Sequence, residues 1–254
     1  MEEEDFTEEW EQAEAFNEKH TENNIYADVF GAGDVDLRNT EYWKVLNVGN
    51  DGVIGYLTIP KINVKLAIYH GTEEAVLQTG VGHLNGSKLP IGGDSTHSVL
   101  AAHRGLPSAK LFTDIDQLKR GDMFYIYVLD QVFAYQVDQI LDMVDKDDSA
   151  ALESALSIVE DKDYVTLFTC TPYGVNSHRL LVRGSRVPYE GEEQVEAEIL
   201  ESMLKSLQEK CLFNLMVGLS GGLVALWIIK FVIRLCYRRR REKRENIANS
   251  KEEM

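Results

Sequence analysis

The chain has 254 residues, with 26 Lys plus Arg against 42 Asp plus Glu and a formal net charge of −16. That length accommodates one domain or two with an ordinary core, and the acidity argues against a nucleic-acid binder because a polyanion would be repelled. The charge is also uneven, since residues 1–30 hold eleven Asp and Glu against one Lys while RLCYRRRREKR near the other end is strongly basic; an acidic arm and a basic tail flank a more neutral body.

Residues 1–24 are polar and free of strand signals. They read as a solvated helix in preference to a disordered arm, because Phe6, Trp10 and Ala13 recur at helical spacing. Residues 25–50 hold YADVF, a Gly-rich turn and EYWKVLNV, a pattern of linker plus short helix. From Gly52 the texture changes. GVIGYLTIP and VKLAIYHG are strand-like, separated by a turn at Pro60-Lys61-Ile62-Asn63. GVGHLNGSKLPIGGD reads as a Gly/Pro-rich loop, and HSVLAAH as a short buried strand ending at His103. DMFYIYVLDQVFAYQVDQI alternates as a β-hairpin with its turn near Asp130-Gln131. SAALESALSIVE is expected as a short helix, and YVTLFTC and HRLLVRGSRVPY as the last two strands. Short strands without a βαβ rhythm point to a single closed or nearly closed β-barrel.

Beyond it, EGEEQVEAEILESMLKSLQEK places Val195, Ile199, Met203 and Leu207 every fourth residue, the pattern of a juxtamembrane helix serving as a stalk. Leu212 to Ile229 is an uncharged run that continues through Lys230 and Arg234 to Tyr237. With two bases able to snorkel, it is long enough for roughly 30 Å of hydrocarbon. Arg238 to Arg241 follow directly, so the positive-inside rule makes that end cytoplasmic and puts residues 1–210 outside the cell. An exported domain needs a signal, and MEEEDFTEEWEQ has neither a basic n-region nor an apolar h-region. A removed signal or a start codon assigned too late is therefore expected. The organisation expected is an acidic arm over 1–47, a barrel over 48–189, a stalk over 190–210, a transmembrane helix over 211–237 and a basic tail over 238–254.

Cysteine is sparse: Cys170, Cys211 and Cys236. The last two bracket the hydrophobic run and cannot bridge each other along an extended helix, so Cys170 has no evident disulfide partner. It is either an inert buried thiol or a reactive one. A thiolate is a strong nucleophile, but a free thiol is little ionised at neutral pH, and attack on a carbonyl needs a base or cation nearby and a donor for the oxyanion. If YVTLFTC and HRLLVRG pair antiparallel, Arg179 faces Cys170 across the mouth of one hairpin, where a guanidinium can hold a carbonyl. Alone, Cys170 also fits a structural thiol and Arg179 a surface charge. Of six histidines, His103 is the best acid/base candidate, because it ends an apolar strand and opens the turn HRGLPSAK. His178 adjoins Arg179 but alternation turns it to the opposite face. His97 lies six residues before His103 and His83 sits in the Gly-rich loop, while His20 and His70 carry no signal. HxxxH and CxxC spacings and the Walker and Rossmann glycine patterns are absent, so no metal or nucleotide cofactor is expected.

TLFTCTPYGVNSHRLLVRG resembles the TLxTC…R signature of the sortases, cysteine transpeptidases of Gram-positive bacteria. Together with STHSVLAAHRGLPSAKLFTDIDQLKRGD it is similar to class C, the pilin-polymerising sortases; GYLTIPKINVKLAIYHGT and VLQTGVGHLNGSKLPIGG agree, and the likeness covers roughly residues 45–189. The resemblance implies an eight-stranded barrel with Cys170 as nucleophile, His103 as general acid/base and Arg179 steadying substrate and oxyanion. It implies cleavage of an LPXTG-type sorting signal between Thr and Gly. A pilin lysine then resolves the thioacyl intermediate into an isopeptide bond, with no ATP, metal or other cofactor. The implied partners are pilin subunits and the cell membrane, with the catalytic domain on the outer face. Class C members carry a lid with an Asp-Pro-aromatic motif; the nearest match is Asp28-Val29-Phe30, with Asp28 expected on a site cation such as Arg179 and Phe30 over Cys170. Valine in place of proline does not fix φ. The alternatives are a sortase that uses a peptidoglycan-precursor amine, a non-catalytic scaffold that binds sorting signals, and a cysteine hydrolase with water as acceptor.

Overall fold

The computed structural model describes residues 5–21, 28–30, 36–106, 109–191, 195–196 and 198–208. Eight strands run in chain order as β1 Val53–Ile59, β2 Val64–His70, β3 Val81–His83, β4 Thr96–Ala101, β5 Met123–Val128, β6 Gln131–Asp145, β7 Asp163–Thr171 and β8 His178–Val187. They close into a barrel in the order β1-β2-β3-β4-β7-β8-β6-β5, with β5 returning to β1. The pairs β2/β3 and β4/β7 are parallel and the others antiparallel. Each strand of the closed ring is hydrogen-bonded to a neighbour on both sides for at least part of its length. Leu57, Ile59, Ile68, Leu100, Ile126 and Leu167 are fully buried in the interior cluster.

Among the described residues up to β8, four α-helices accompany this barrel: α1 Thr7–Lys19, α2 Glu41–Lys44, α3 Glu74–Leu77 and α4 Ser149–Leu156. β7 is buried along all but its first residue, because it has cover on both sides. Val165 and Leu167 belong to the interior cluster, whereas Phe168 packs with Leu152 and Leu156 of α4 and Leu77 of α3. A strand covered on both faces reads as a continuous apolar run, and YVTLFTC has that texture.

Three expectations need correction. The Gly-rich stretch is not all loop, since Val81–His83 forms β3. The buried strand ends at Ala101, two residues short of His103. The hairpin expected near Asp130-Gln131 is present, with its turn at Leu129-Asp130 and Leu129 at φ 49°. The acidic arm is also docked where a solvated helix was expected: Ala13, Phe16 and Asn17 of α1 are buried. The Asn17 amide acts as a strand partner, accepting from Leu89 N at 2.8 Å and donating to Leu89 O at 3.2 Å. Lys88 Nζ donates to the Asn17 carbonyl, and Trp10 Nε1 donates to Asp130 at 2.8 Å.

The seam between β1 and β5 depends on a glycine. A Cβ on Gly55 would lie 2.0 Å from the Tyr127 carbonyl oxygen, a backbone atom held in register by Tyr56↔Tyr127. Gly55→Ala is therefore expected to lower stability by about 1–3 kcal/mol, the usual range for overpacking. A lowered urea midpoint at unchanged m-value checks this.

After β8, residues 195–196 and 198–202 are helical. Val195 is buried with Tyr125 and Ala134, and Tyr125 donates to Glu198 at 2.9 Å. Residues 203–208 fall in a second compact unit; they are helical, with Met203, Leu204 and Leu207 exposed. The expected transmembrane helix (211–237) and basic tail (238–254) lie outside the described residues. Among the described residues no helix is long and apolar enough to cross a membrane.

Candidate active site

The site begins with strand alternation. Residues two apart share a face of a strand, so Cys170 shares the face of Phe168, the side toward α3 and α4. In the β7/β8 ladder Cys170 is directly opposite Arg179, and Phe168 is opposite Leu181. Such opposed residues have neighbouring side chains. Pro172 lacks the N–H needed to prolong the ladder, so β7 stops at Thr171, one residue past Cys170. The loop turns back with Val175 N and Asn176 N both donating to the Pro172 carbonyl at 3.0 Å. Asn176, at φ 59°, is a residue type that tolerates this left-handed conformation.

His103 arrives from the other side. β4 and β7 pair with Ala101 opposite Phe168. Two bonds prolong the contact, Ala102 N to Phe168 O at 3.2 Å and Thr169 Oγ1 to Ala102 O at 2.7 Å. Carrying the register on by two residues sets His103 level with Cys170. Arg104 holds this loop: Nε donates to Thr113 O at 3.2 Å, Nη1 to Thr171 Oγ1 at 3.4 Å, and Nη2 pairs with Asp116. The residue after the histidine is thus tied to the residue after the cysteine.

The segment 28–30 lies over these groups. Asp28 forms a two-pronged ion pair with Arg179, Oδ1 accepting from Nε at 2.6 Å and Oδ2 from Nη2. Arg179 Nη1 donates to the carbonyls of Asn176 at 2.9 Å and His178 at 2.8 Å. Phe30 was expected over Cys170; its recorded ring contacts are with His103 at 5.4 Å and Phe168 at 5.9 Å, and the Arg179 guanidinium faces it at 5.4 Å. Val29, where the resemblance implies a proline, is buried among Leu77, Val99 and Ala101. Burial anchors it where φ does not.

Cys170 is a free thiol with 6% exposure, and the Arg179 side chain is 4% exposed. Burial pushes the thiol pKa up; Arg179 draws it down and Asp28 pushes it up again. The Asp28 carboxylate therefore offsets the cation that would generate a thiolate. Chemically, the arrangement provides a thiol and a guanidinium at one end of the β7/β8 hairpin, with an imidazole brought level with them from the end of β4.

Histidines outside this cluster have other settings. His83 is fully buried, facing Tyr42 Oη and Lys88 O at 2.8 Å, and burial drives its pKa down to about 3. His97 bridges Ser157 O and Thr166 Oγ1 at 2.8 Å, and burial brings it to about 4. His70 faces the Gly52 and Val45 carbonyls. His20 stacks on Phe16 at 4.1 Å. His178 lies against Ser177 Oγ, one residue out of step with Arg179 as alternation requires. Among the described residues no group of three or more His, Cys, Asp or Glu is placed to hold a metal ion.

Two residues escaped sequence reasoning. Glu74 of α3 reaches His103 Nε2 at 3.1 Å, across 29 positions with no spacing motif to reveal it. Arg104 adjoins His103 and offered only its adjacency.

Comparison with known proteins adds identity to the geometry. The sortase-domain family model matches residues 57–187. The crystal structure of sortase C1 from Streptococcus agalactiae is 48% identical, covering 75% of this chain and 93% of that one, with a TM-score of 0.66. The sortase C structure from Streptococcus pneumoniae is 46% identical over 74% of this chain and 91% of that one, with a TM-score of 0.67. Sortase D of Bacillus subtilis is 32% identical over 136 residues, which is 52% of this chain and 63% of that protein. The chain thus spans less than two thirds of that curated relative.

Proposed function

The chain belongs to the sortase family, and on that premise we propose that it is a class C cysteine transpeptidase joining pilin subunits. The observation that carries this reading is the Cys170↔Arg179 pair with the Asp28 carboxylate seated in the guanidinium fork. A carboxylate presents two oxygens where an oxyanion would need donors. Asp28-Val29-Phe30 is then a lid holding a substrate-like contact, and its departure frees the Nε and Nη2 edge of Arg179. Nη1, bonded to the Asn176 and His178 carbonyls, keeps the guanidinium in place meanwhile.

In the open site Cys170 gives its proton to His103, and the sulfur attacks the Thr carbonyl of an LPXTG-type signal. Arg179 steadies the oxyanion. The C–N bond breaks, its electron pair stays on nitrogen, and the imidazolium protonates that amine. The thioacyl intermediate is then resolved by a lysine amine, which forms the isopeptide bond and restores the thiol.

Support for pilin as substrate comes from relatives. The S. pneumoniae sortase C is described with pilin substrate specificity, and a group B Streptococcus sortase C as pilus-related. Support for a membrane anchor is the uncharged run Leu212 to Ile229 followed by Arg238 to Arg241. That orientation sets the catalytic barrel on the outer face, where pilins emerge.

Incubating the protein with candidate pilins and mapping cross-links by mass spectrometry tests the reading. The expected product joins the Thr carbonyl of the truncated signal to a pilin lysine as an amide, with the Gly-side fragment released as a free amine. Recovery of the Thr carboxyl only on a peptidoglycan-precursor amine would transfer the protein to wall anchoring, and recovery only as free acid would make it a hydrolase.

A further inference from the structure

The His103 imidazole has two neighbours of defined geometry. Phe30 lies against its face at 5.4 Å, and Glu74 meets its edge, with Oε2 3.1 Å and Oε1 3.2 Å from Nε2. Only the first belongs to the lid. Glu74 is the first residue of α3, in the β2–β3 connection, and stays with the barrel when residues 28–30 move. Its Oε1 also accepts from Gln78 Nε2, one turn on, at 2.8 Å, which restrains the carboxylate. That hydrogen bond holds the Glu74 carboxyl below its ordinary range, opposed by slight burial and reinforced by His103. An ionised carboxylate only accepts, so Nε2 is the protonated nitrogen of the neutral ring. Nδ1 is left as the atom available for proton exchange.

We propose that Glu74 is a positioning residue for His103, fixing the Nε2–H tautomer and ring orientation so that Nδ1 exchanges the proton. The proposal rests on the transpeptidase reading above. Nδ1 takes the Cys170 proton as the thiolate forms, and the imidazolium returns it from Nδ1 to the departing amine as the C–N pair collapses onto nitrogen. Nε2–H is bonded to Glu74 throughout, so the protons balance and Glu74 itself exchanges none. A histidine's tautomer and orientation are commonly set by a partner at its other nitrogen. Among the described residues Glu74 is the side chain that hydrogen-bonds the His103 ring, and it lies outside segment 28–30.

The competing account is an ordinary surface ion pair, as the Glu74 side chain is 59% exposed and that of His103 19%. Such pairs contribute little to stability, so the two accounts separate kinetically. Glu74→Ala and Glu74→Gln are made in the full chain and assayed on a quenched fluorescent peptide containing LPETG. The Gln amide oxygen can still accept from Nε2–H. Glu74→Ala is expected to lower kcat roughly tenfold, a fraction of what general acid–base catalysis supplies, with KM and Tm unchanged. Glu74→Gln is expected to recover most of that loss. The proposal is overturned if Glu74→Ala turns over at the wild-type rate, if its loss appears in KM, or if a folded Glu74→Gln is as slow as Glu74→Ala. A Cys170→Ala control keeps the two readings apart: cleavage persisting there removes the transpeptidase reading itself, whereas a dead control beside a normal Glu74→Ala removes only the role of Glu74.

Discussion

Cys170→Ala is expected to end acyl transfer altogether, with no peptide adduct on the protein, no polymer, and turnover reduced by about 10⁴-fold or more. The loss should be chemical and not structural. Cys170 sits in a strand held on both sides, by β4 through Leu100↔Leu167 and Ala101↔Phe168, and by β8 through Arg179. Alanine keeps the backbone and Cβ and removes one sulfur, so the cost in stability should be on the order of 1 kcal/mol, toward the low end for trimming buried atoms. Far-UV circular dichroism and the melting temperature should match the parent closely. Intact-protein mass spectrometry after mixing with a sorting-signal peptide reads the result: the parent gains the mass of the acyl fragment and the variant gains nothing. An adduct of equal mass on the alanine variant would mean that another side chain attacks. Polymer formed without an adduct would favour a scaffold that only gathers signals.

The part of this site that follows from local chain geometry was legible in the sequence. YVTLFTC and HRLLVRG read as neighbouring strands, and antiparallel pairing of the two sets Arg179 against Cys170 across the hairpin mouth, as the ladder bears out. His103 was legible as the polar end of an apolar strand, although that strand stops at Ala101. What escaped is set by tertiary contact. No residue near Glu74 announces that α3 carries it to His103, since that contact depends on β2 and β3 pairing in parallel around the barrel. The docking of α1 was hidden for a similar reason. Its sequence is mostly polar, and what fastens it is an asparagine bonded to the backbone at Leu89, an interaction that hydrophobic periodicity does not register. The Gly-rich stretch concealed β3 because three residues are too few for an alternating pattern. Asp28 and Phe30 were found through resemblance; their neighbours carry no pattern that marks a lid.

Asp28→Ala is expected to raise the rate at which iodoacetamide labels Cys170 by at least tenfold at neutral pH. The closed arrangement leaves the Arg179 side chain only 4% exposed, and Asp28 is its two-pronged counter-ion. Removing one member of a buried pair strands the other, which typically costs about 3–5 kcal/mol. An open lid relieves that cost by letting water reach the guanidinium, so the variant gains open molecules at the expense of closed ones. Each 1.4 kcal/mol of that bias is about tenfold in population. Charge acts in the same direction. Burial raises the thiol pKa, Arg179 lowers it and Asp28 raises it; deleting Asp28 removes one raising influence and leaves the lowering one. The midpoint of the labelling rate against pH should therefore move to lower pH. Phe30→Ala separates access from charge, since it removes the ring against His103 and Arg179 but no carboxylate. It should speed labelling with a smaller movement of the midpoint. If both variants label at the parental rate, segment 28–30 does not gate the thiol. If Asp28→Ala moves the midpoint while Phe30→Ala changes nothing, Asp28 acts through its charge alone and the segment is no lid.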